Sequence, residues 1–505
     1  MKRKFFRQSQ SARIIGAILV LTLSQIFSDP GHAADSPERP HILLILADDL
    51  GWRDVGYHGS EIRTPNIDRI AHEGIELDRF YAQPSCSPTR AGLMTGKSPL
   101  RVGIDRPISK NERRGLPRDE TILPQHLARL GYQPLMVGKW HLGHYTPDLF
   151  PQARGFEHFY GHVTGGIGYW DHNHGGGHDW QRNGETIRET GYTTRLIADE
   201  ALRLLENRDV ERPLFLFASF NAPHLPNEAP AETIEQYAFI EDEGRRIHAA
   251  MVSELDRAIG RLLADFERRG MLDNTLVLFA SDNGGSVRAA FPKPLTRAID
   301  SMVWLFGRPL PIAGLEFLAA NVNDGRSDNA PLKRGKGSVA EGGSRVPAAI
   351  WWPGRLDGGT HHGFMTVSDV LPTLMDAVGG GEGIPDDLNG RSQWGALRGE
   401  PESETPDYVT SGLEGIALYR TPWKLIDPDA PRLYQIYDDP LEEHDLAADR
   451  PEIVEELRAA ALAWPRGPEM DRSMLDILRD PDSFGGPEDR PPWADVAREH
   501  LKDSH

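Results

Sequence analysis

Apolar and polar positions alternate along this chain in blocks rather than residue by residue. PHILLILADD (40–49) is a continuous apolar run that stops on two aspartates, the pattern of a strand buried on both faces. TPNIDRIAHEG (64–74) sets apolar residues at helical spacing behind a Thr-Pro start, which predicts a helix opening at its proline. The succession recurs: TILPQHLARLG precedes YQPLMVGKW, and TRLIADEALRLLENR precedes PLFLFASFNAPH. A long helix is predicted to end near Arg269 and to lead into NTLVLFASDNGG. Such alternation predicts an α/β fold, a large mainly parallel sheet flanked by helices. Sites in such folds lie beyond the carboxyl ends of the strands.

Four of these runs end in chemistry. LLILADD closes on Asp48 and Asp49, PLMVGKWH on Lys139 and His141, FASFNAPH on His224, and LVLFASDN on Asp282 and Asn283. Near residue 400 the texture changes. GEPESETPD reads as a linker, followed by short antiparallel strands in SGLEGIALYRTPWKLI and RLYQIYDDP and a helix in PEIVEELRAAALAW. The expected organisation is a catalytic domain over 38–398 and a small C-terminal α+β domain with a short antiparallel sheet over 399–505. Residues 286–330, between two motif-bearing stretches, read equally as a lid over the site or as a packed insert.

Composition changes little in this picture. The 56 basic and 75 acidic residues give a formal charge of −19, which argues against a general nucleic-acid or membrane-surface binder. It leaves an anionic substrate open, because a few cations focused in one cleft outweigh a distant diffuse field. At the N-terminus a basic MKRKFFRQSQSAR, the apolar IIGAILVLTLSQIF and small residues near Ala33 read as a cleaved signal peptide over 1–33, predicting export to the periplasm or medium without a stable membrane anchor.

Asp48, Asp49, Asp282 and Asn283 offer only oxygen donors, a set suited to one Ca²⁺, with Mg²⁺ the alternative, rather than zinc. Three carboxylates converging unpaired would repel, and a bound cation is the economical explanation. Cys86, the single cysteine, cannot make an intramolecular disulfide. It sits where SCSPTR predicts a helix start, facing free N–H donors that favour negative charge. A buried apolar thiol and an unmodified thiol nucleophile are the other readings of that residue.

The residues flanking Cys86 narrow the choice. Cys-Ser-Pro-Thr-Arg (86–90) resembles the C-x-P-x-R signature of the type I, formylglycine-dependent sulfatases, a coincidence expected for on the order of one cysteine in several hundred. ILLILADDLGWRDVGYHGS, TPNIDRIAHEGI, GKWHLG, RGFEHFYG, NAPH, SDNGG and NAPLKRGKGSVAEGG follow in that family's order, over roughly residues 40 to 355. VGYHGSEIRTPNIDRIA is most similar to the arylsulfatase B branch.

The resemblance implies the alkaline phosphatase-like sulfatase fold and hydrolysis of a sulfated sugar or aryl sulfate. Cys86 would be oxidised by a maturation enzyme to formylglycine (3-oxoalanine), whose hydrated aldehyde attacks sulfur, leaving a sulfated enzyme; the second hydroxyl then expels sulfate. Asp48, Asp49, Asp282 and Asn283, with residue 86, are similar to the calcium ligands. Arg90 resembles the residue that holds the diol, and Lys139 and Lys336 those that grip sulfate oxygens. Lys336 is chosen over Lys333 on its GKGS context. His224 resembles the general acid at the leaving oxygen and His141 the group that takes the diol proton. Phosphate- or phosphonate-ester hydrolysis and a non-catalytic sulfated-glycan binder are the rival functions. HVTGGIGYWDHNHGGGHDW (162–180) departs from the pattern; its His172, His174 and His178 could mark a second metal, and a Gly-His loop lining the pocket is the favoured alternative.

Overall fold

In the computed structural model the described residues are 39–503, other than 289–292, 309, 311–312, 402–404, 414 and 469–488. The expected signal peptide lies outside them. Residues from Pro40 onward cluster as one compact unit, within which the small antiparallel sheet expected after residue 400 is a distinct element.

The central element is a ten-stranded sheet. Its strands in chain order are β1 (His41–Ala47), β2 (Ile75–Leu77), β3 (Gln133–Lys139), β4 (His158–His162), β5 (Gln181–Arg182), β6 (Glu185–Thr186), β7 (Leu214–Ser219), β8 (Thr275–Ser281), β9 (Ala348–Trp351) and β10 (Gly359–His361). They lie in the order β10-β2-β9-β8-β1-β7-β3-β4-β5-β6. The five strands β8-β1-β7-β3-β4 are mutually parallel. Antiparallel β9 and the β5–β6 hairpin extend the two edges.

Both faces of the parallel core are dry, which is why its strands read as unbroken apolar runs. Along β1, Ile42, Leu44 and Leu46 enter one hydrophobic cluster, whereas Leu43, Ile45 and Ala47 enter the other. The first face is covered by α2 (Cys86–Thr95), α3 (Leu123–Arg129) and α8 (Val370–Ala377). The second is covered by α1 (Pro65–Glu73), α4 (Thr193–Asn207) and α5 (Glu243–Arg268). Each fully buried Leu or Ile in these layers contributes about 1.5–3 kcal/mol.

The predicted C-terminal strands form a separate antiparallel sheet of four: β11 (Tyr408–Gly412), β12 (Gly415–Arg420), β13 (Trp423–Ile426) and β14 (Arg432–Gln435). Helix α9 (Pro451–Leu462) packs on it, through Leu457 and Ala461. A buried ion cluster ties this sheet to the main body: Lys424 Nζ donates to Glu341 (2.9 Å) and Glu442 (2.7 Å). Sequence patterning did not anticipate α10 (Trp493–Asp503), which returns to the main sheet, where Thr186 donates to Asp495 at 3.2 Å.

The 286–330 segment contains two helices, α6 (Lys293–Phe306) and α7 (Ala313–Asn323), with a small apolar cluster of their own around Ile299, Leu310, Ala319 and Val322. A bridge between Val287 and Arg326 closes its base. Among the described residues no helix is long and apolar enough to cross a membrane.

Candidate active site

All four motif-bearing strand ends open on one side of the sheet. β1 and β8 are neighbours, so Asp48, Asp49, Asp282 and Asn283 emerge side by side. β7 and β3, next across the sheet, bring Asn221, His224, Lys139 and His141 to the same rim. Helix α2 starts there, directly after extended Ser85, so that Cys86 stands at its first position. Cys86 Sγ lies 3.4 Å from Asp48 Oδ1 and the residue is buried. Burial pushes the thiol far above its ordinary range, and the Asp282 charge adds to this. Both effects favour the protonated thiol of an unmodified Cys86.

The carboxylates do not converge unpaired, as the sequence had suggested; each has its own cation. Lys139 Nζ meets Asp48 Oδ2 at 2.6 Å and Lys336 Nζ meets Asp49 Oδ2 at 2.8 Å. Arg90 donates through Nε (3.1 Å) and a terminal nitrogen (2.9 Å) to Asp282 Oδ2. Its other terminal nitrogen reaches the Lys139 carbonyl (2.8 Å) and Ser219 Oγ (2.7 Å), so one guanidinium joins the ends of β8, β3 and β7. Burial tends to raise Asp49, but Lys336, His224 and Lys139 outweigh it and hold the carboxyl well below the usual range. Asp282 goes the other way, pushed up to about 6 by burial and the neighbouring Asp48. Lys333 instead donates to the Glu442 carbonyl, so Lys336 is the lysine that reaches the cluster.

Whether a hard cation fits can be read from the acceptors. Asn283 Nδ2 donates to Asp49 Oδ1 (2.8 Å) and the Gly284 carbonyl (2.9 Å), while its Oδ1, fully buried, has no partner. Such an orphan acceptor is costly unless something positive meets it. Among the described residues, ligand atoms of Asp48, Asp49, Cys86 and His224 lie within 4.8 Å of one another. Asp282 adjoins this group: its Oδ1 accepts the Asp49 N–H (3.2 Å) and its Oδ2 is held by Arg90. The oxygen-rich set fits Ca²⁺ or Mg²⁺.

Both histidines have their tautomers fixed by backbone carbonyls, which can only accept. His141 Nε2 donates to the Ile108 carbonyl (3.1 Å), leaving its buried Nδ1 as an unpartnered lone pair. His224 Nδ1 donates to the Leu225 carbonyl (2.6 Å), leaving Nε2 3.7 Å from Asp49 Oδ2. Burial and Lys336 pull His224 down to about 3, and burial with Lys139 takes His141 well below its ordinary value. Asp49 and His141 both have left-handed backbones (φ 66° and 56°), the local strain common where a site dictates side-chain direction.

Several contributors escaped the sequence reading. Ser219 Oγ links Arg90 to the Lys139 carbonyl, and its place at a strand end was the available signal. Gly165 and Gly166 press against the two histidines: a Cβ would stand 2.8 Å from the His141 ring at the first and 2.9 Å from the His224 ring at the second. The Gly-Gly pair in HVTGGIG thus sets the approach of backbone to both rings. The three loop histidines do not converge on a second metal. His172, His174 and His178 each use a ring nitrogen on a different carbonyl, of Gly191, Gly166 and Ile187.

A protein-family model described as Sulfatase matches residues 40–380. Arylsulfatase J of Mus musculus is 33% identical over 381 residues, 74% of this chain and 58% of that protein. N-acetylgalactosamine-6-sulfatase of Canis lupus familiaris is 32% identical over 372 residues, 69% of this chain and 64% of that protein. The match thus spans about three fifths of these relatives' length. Among solved structures, Ps i-CgsB in complex with k-i-k-neocarrahexaose superposes with a TM-score of 0.73 at 27% identity, covering 88% of this chain and 98% of that one.

Proposed function

Because the chain belongs to the sulfatase family, we propose that it hydrolyses sulfate esters of a sulfated sugar, and cleaves aryl sulfates, with residue 86 as the nucleophile. The observation that carries this reading is the place of Cys86. The family's modified cysteine stands here at a helix N-terminus, 3.4 Å from Asp48, inside a cluster of three carboxylates and three cations. A buried free thiol in that setting is best understood as a precursor. Oxidation to formylglycine by a maturation enzyme would supply a hydrated aldehyde whose two hydroxyls serve attack and release in turn.

The cation would be held by Asp48, Asp49, Asp282 and Asn283 with residue 86, Ca²⁺ being the first choice; it would supply Lewis-acid polarisation and offset the carboxylates. With Lys139, Lys336 and Arg90 already against the three carboxylates, a bound cation would leave the site net positive, which favours an anionic ester. Lys139 and Lys336 stabilise charge growing on the sulfate oxygens. Arg90 positions residue 86 by fixing the strand ends around it. His141 Nδ1, with its lone pair held ready by the Ile108 carbonyl, takes the diol proton. His224, the residue resembling the family's general acid, would face the leaving oxygen through Nε2 and donate to it once that nitrogen carries a proton. Export through the 1–33 leader would bring the enzyme to an extracellular sulfated polysaccharide, consistent with relatives named for N-acetylgalactosamine-6-sulfate and a structural neighbour holding a neocarrahexaose.

The test is mass spectrometry of the peptide containing residue 86, alongside turnover of 4-nitrophenyl sulfate, phosphate and a phosphonate monoester. Conversion shows as the loss of hydrogen sulfide against the gain of one oxygen, together with preferential sulfate turnover. A fully unconverted thiol in protein from cells with the maturation enzyme would sink the proposal, as would faster turnover of either phosphorus ester.

A further inference from the structure

Lys336 reaches the carboxylate cluster from a loop rather than from a strand end. Its ammonium sits on a flexible four-carbon stem, so the 2.8 Å contact with Asp49 Oδ2 depends on what fixes the backbone beneath it. Backbone contacts supply part of the hold. The Lys336 N–H donates to the Gly285 carbonyl (3.0 Å) and the Gly337 N–H to the Pro84 carbonyl (2.7 Å). The approach is close: a Cβ on Gly335 would stand 2.3 Å from the Gly285 carbonyl oxygen. Arg334, just before it, is left-handed (φ 63°), a conformation that a non-glycine residue keeps only where its surroundings over-determine it.

The Asn329 side chain, 3% exposed, supplies that determination. Its Oδ1 accepts from the N–H groups of Gly285 (2.9 Å) and Trp52 (3.4 Å). Its Nδ2 donates to the carbonyls of Gly285 (2.9 Å) and Arg334 (3.0 Å). Backbone N–H groups only donate and carbonyls only accept, so the amide has one orientation and its hydrogen-bonding capacity is filled. Each of the three segments it joins carries site residues. Trp52 closely follows Asp49, Gly285 closely follows Asn283, and Arg334 stands just before Lys336. The Gly285 carbonyl accepts from Asn329 Nδ2 and from the Lys336 N–H together, so amide and loop are pinned on one atom.

We propose that Asn329 is a positioning residue for Lys336: its amide locks the loop onto the end of β8, which aims the ammonium at Asp49 and at the sulfate of the substrate. Asn329 acts through the loop and not on the substrate. The inference rests on the reading above, in which Lys336 stabilises charge growing on sulfate oxygens.

The test uses Asn329→Asp, which keeps shape and acceptor but sets a second oxygen against two carbonyls. 4-Nitrophenyl sulfate turnover is compared for the mature parent, Asn329→Asp, Lys336→Met and the double variant. Asn329→Asp is expected to lose on the order of 100-fold in kcat/KM, mostly in kcat, as for a misplacement of about 1 Å. The double variant is expected within about threefold of Lys336→Met alone, because the two changes remove one interaction. Losses that multiply, or Asn329→Asp activity within about threefold of the parent, overturn the proposal. Hydrogen exchange gives a readout independent of turnover. The Lys336 amide should exchange about tenfold faster or more in Asn329→Asp, with the amides of β1 unchanged; parent-like exchange at Lys336, or an equal rise in β1, overturns the proposal. Should the parent turn over no sulfate ester, the sulfatase reading fails by itself and exchange at Lys336 decides the role of Asn329. If Asn329→Asp does not fold, Asn329→Ala takes its place. Failure of both to fold also overturns the proposal, since the amide is then needed by the whole fold rather than by Lys336.

Discussion

Replacing Arg90 by lysine tests the junction on which the site is assembled. The guanidinium is 1% exposed and makes four contacts of 2.7–3.1 Å, two to Asp282 Oδ2 and one each to the Lys139 carbonyl and Ser219 Oγ. A lysine ammonium keeps the charge, but its donors radiate from one atom on a shorter reach and cannot span oxygens on opposite sides. Two of the four contacts should be lost. At about 1.5–3 kcal/mol for each hydrogen bond to a charged group, Arg90→Lys should cost about 3–6 kcal/mol, overlapping the range of a broken buried ion pair. Freed strand ends would also misplace Lys139 and Asp282, and a misplacement of about 1 Å costs on the order of 100-fold in rate. Urea unfolding followed by fluorescence of the 11 tryptophans gives the first quantity, and kcat/KM on an aryl sulfate gives the second. Asp282→Asn should cost a similar amount, and the double variant less than the sum, because both changes break one junction. Stability within about 1 kcal/mol of the parent and activity within about tenfold would refute the argument that this fork holds the strand ends.

Three further expectations follow from the geometry. Chelation should lower the melting temperature and the activity together, and Ca²⁺ at about 100 times its dissociation constant should restore about 2.7 kcal/mol; a melt indifferent to chelation and Ca²⁺ would remove the cation. Gly138→Ala should give little soluble protein, since φ is 98° and a Cβ would stand 1.8 Å from the Ser219 carbonyl oxygen on the neighbouring strand; a parent-like melting curve would contradict this packing. Burial tends to raise Asp54, but His248 and Arg245 outweigh it and bring it from 3.8 to about 2. Its folded pKa is depressed, so its contribution of about 2 kcal/mol is complete above pH 3.8 and is lost as pH falls through about 2. Asp54→Asn should lose that amount at neutral pH and flatten the acid limb of the stability profile, whereas an unchanged acid limb would count against the ion pair.

The parallel core was legible because burial on both faces leaves a strand no polar positions, so LLILA and TLVLFAS announce themselves as uninterrupted runs. The helix start at Cys86 was legible through Pro88, and the strand-end aspartates through the rule that polar residues after such runs face the cleft. Patterning failed at α10, an amphipathic helix far in sequence from the surface it covers; nothing local says that Trp493 will meet His174. The loop histidines show a related limit. Their clustering in sequence left shared ligation open beside the favoured Gly-His loop, and only the fold shows each ring on its own carbonyl.

What the sequence determined by itself is the inventory: which side chains stand at strand ends, which backbone needs glycine, and which cysteine follows a family's signature. Those depend on local sterics and on the short-range periodicity of burial. Tertiary structure alone decided the pairing. Asp48 finds Lys139, Asp49 finds Lys336 and Asp282 finds Arg90 because the strand order sets residues as many as 287 positions apart side by side. Charge–charge attraction is strong only across a few ångströms of low-dielectric space, and those distances are properties of the packed sheet rather than of the chain.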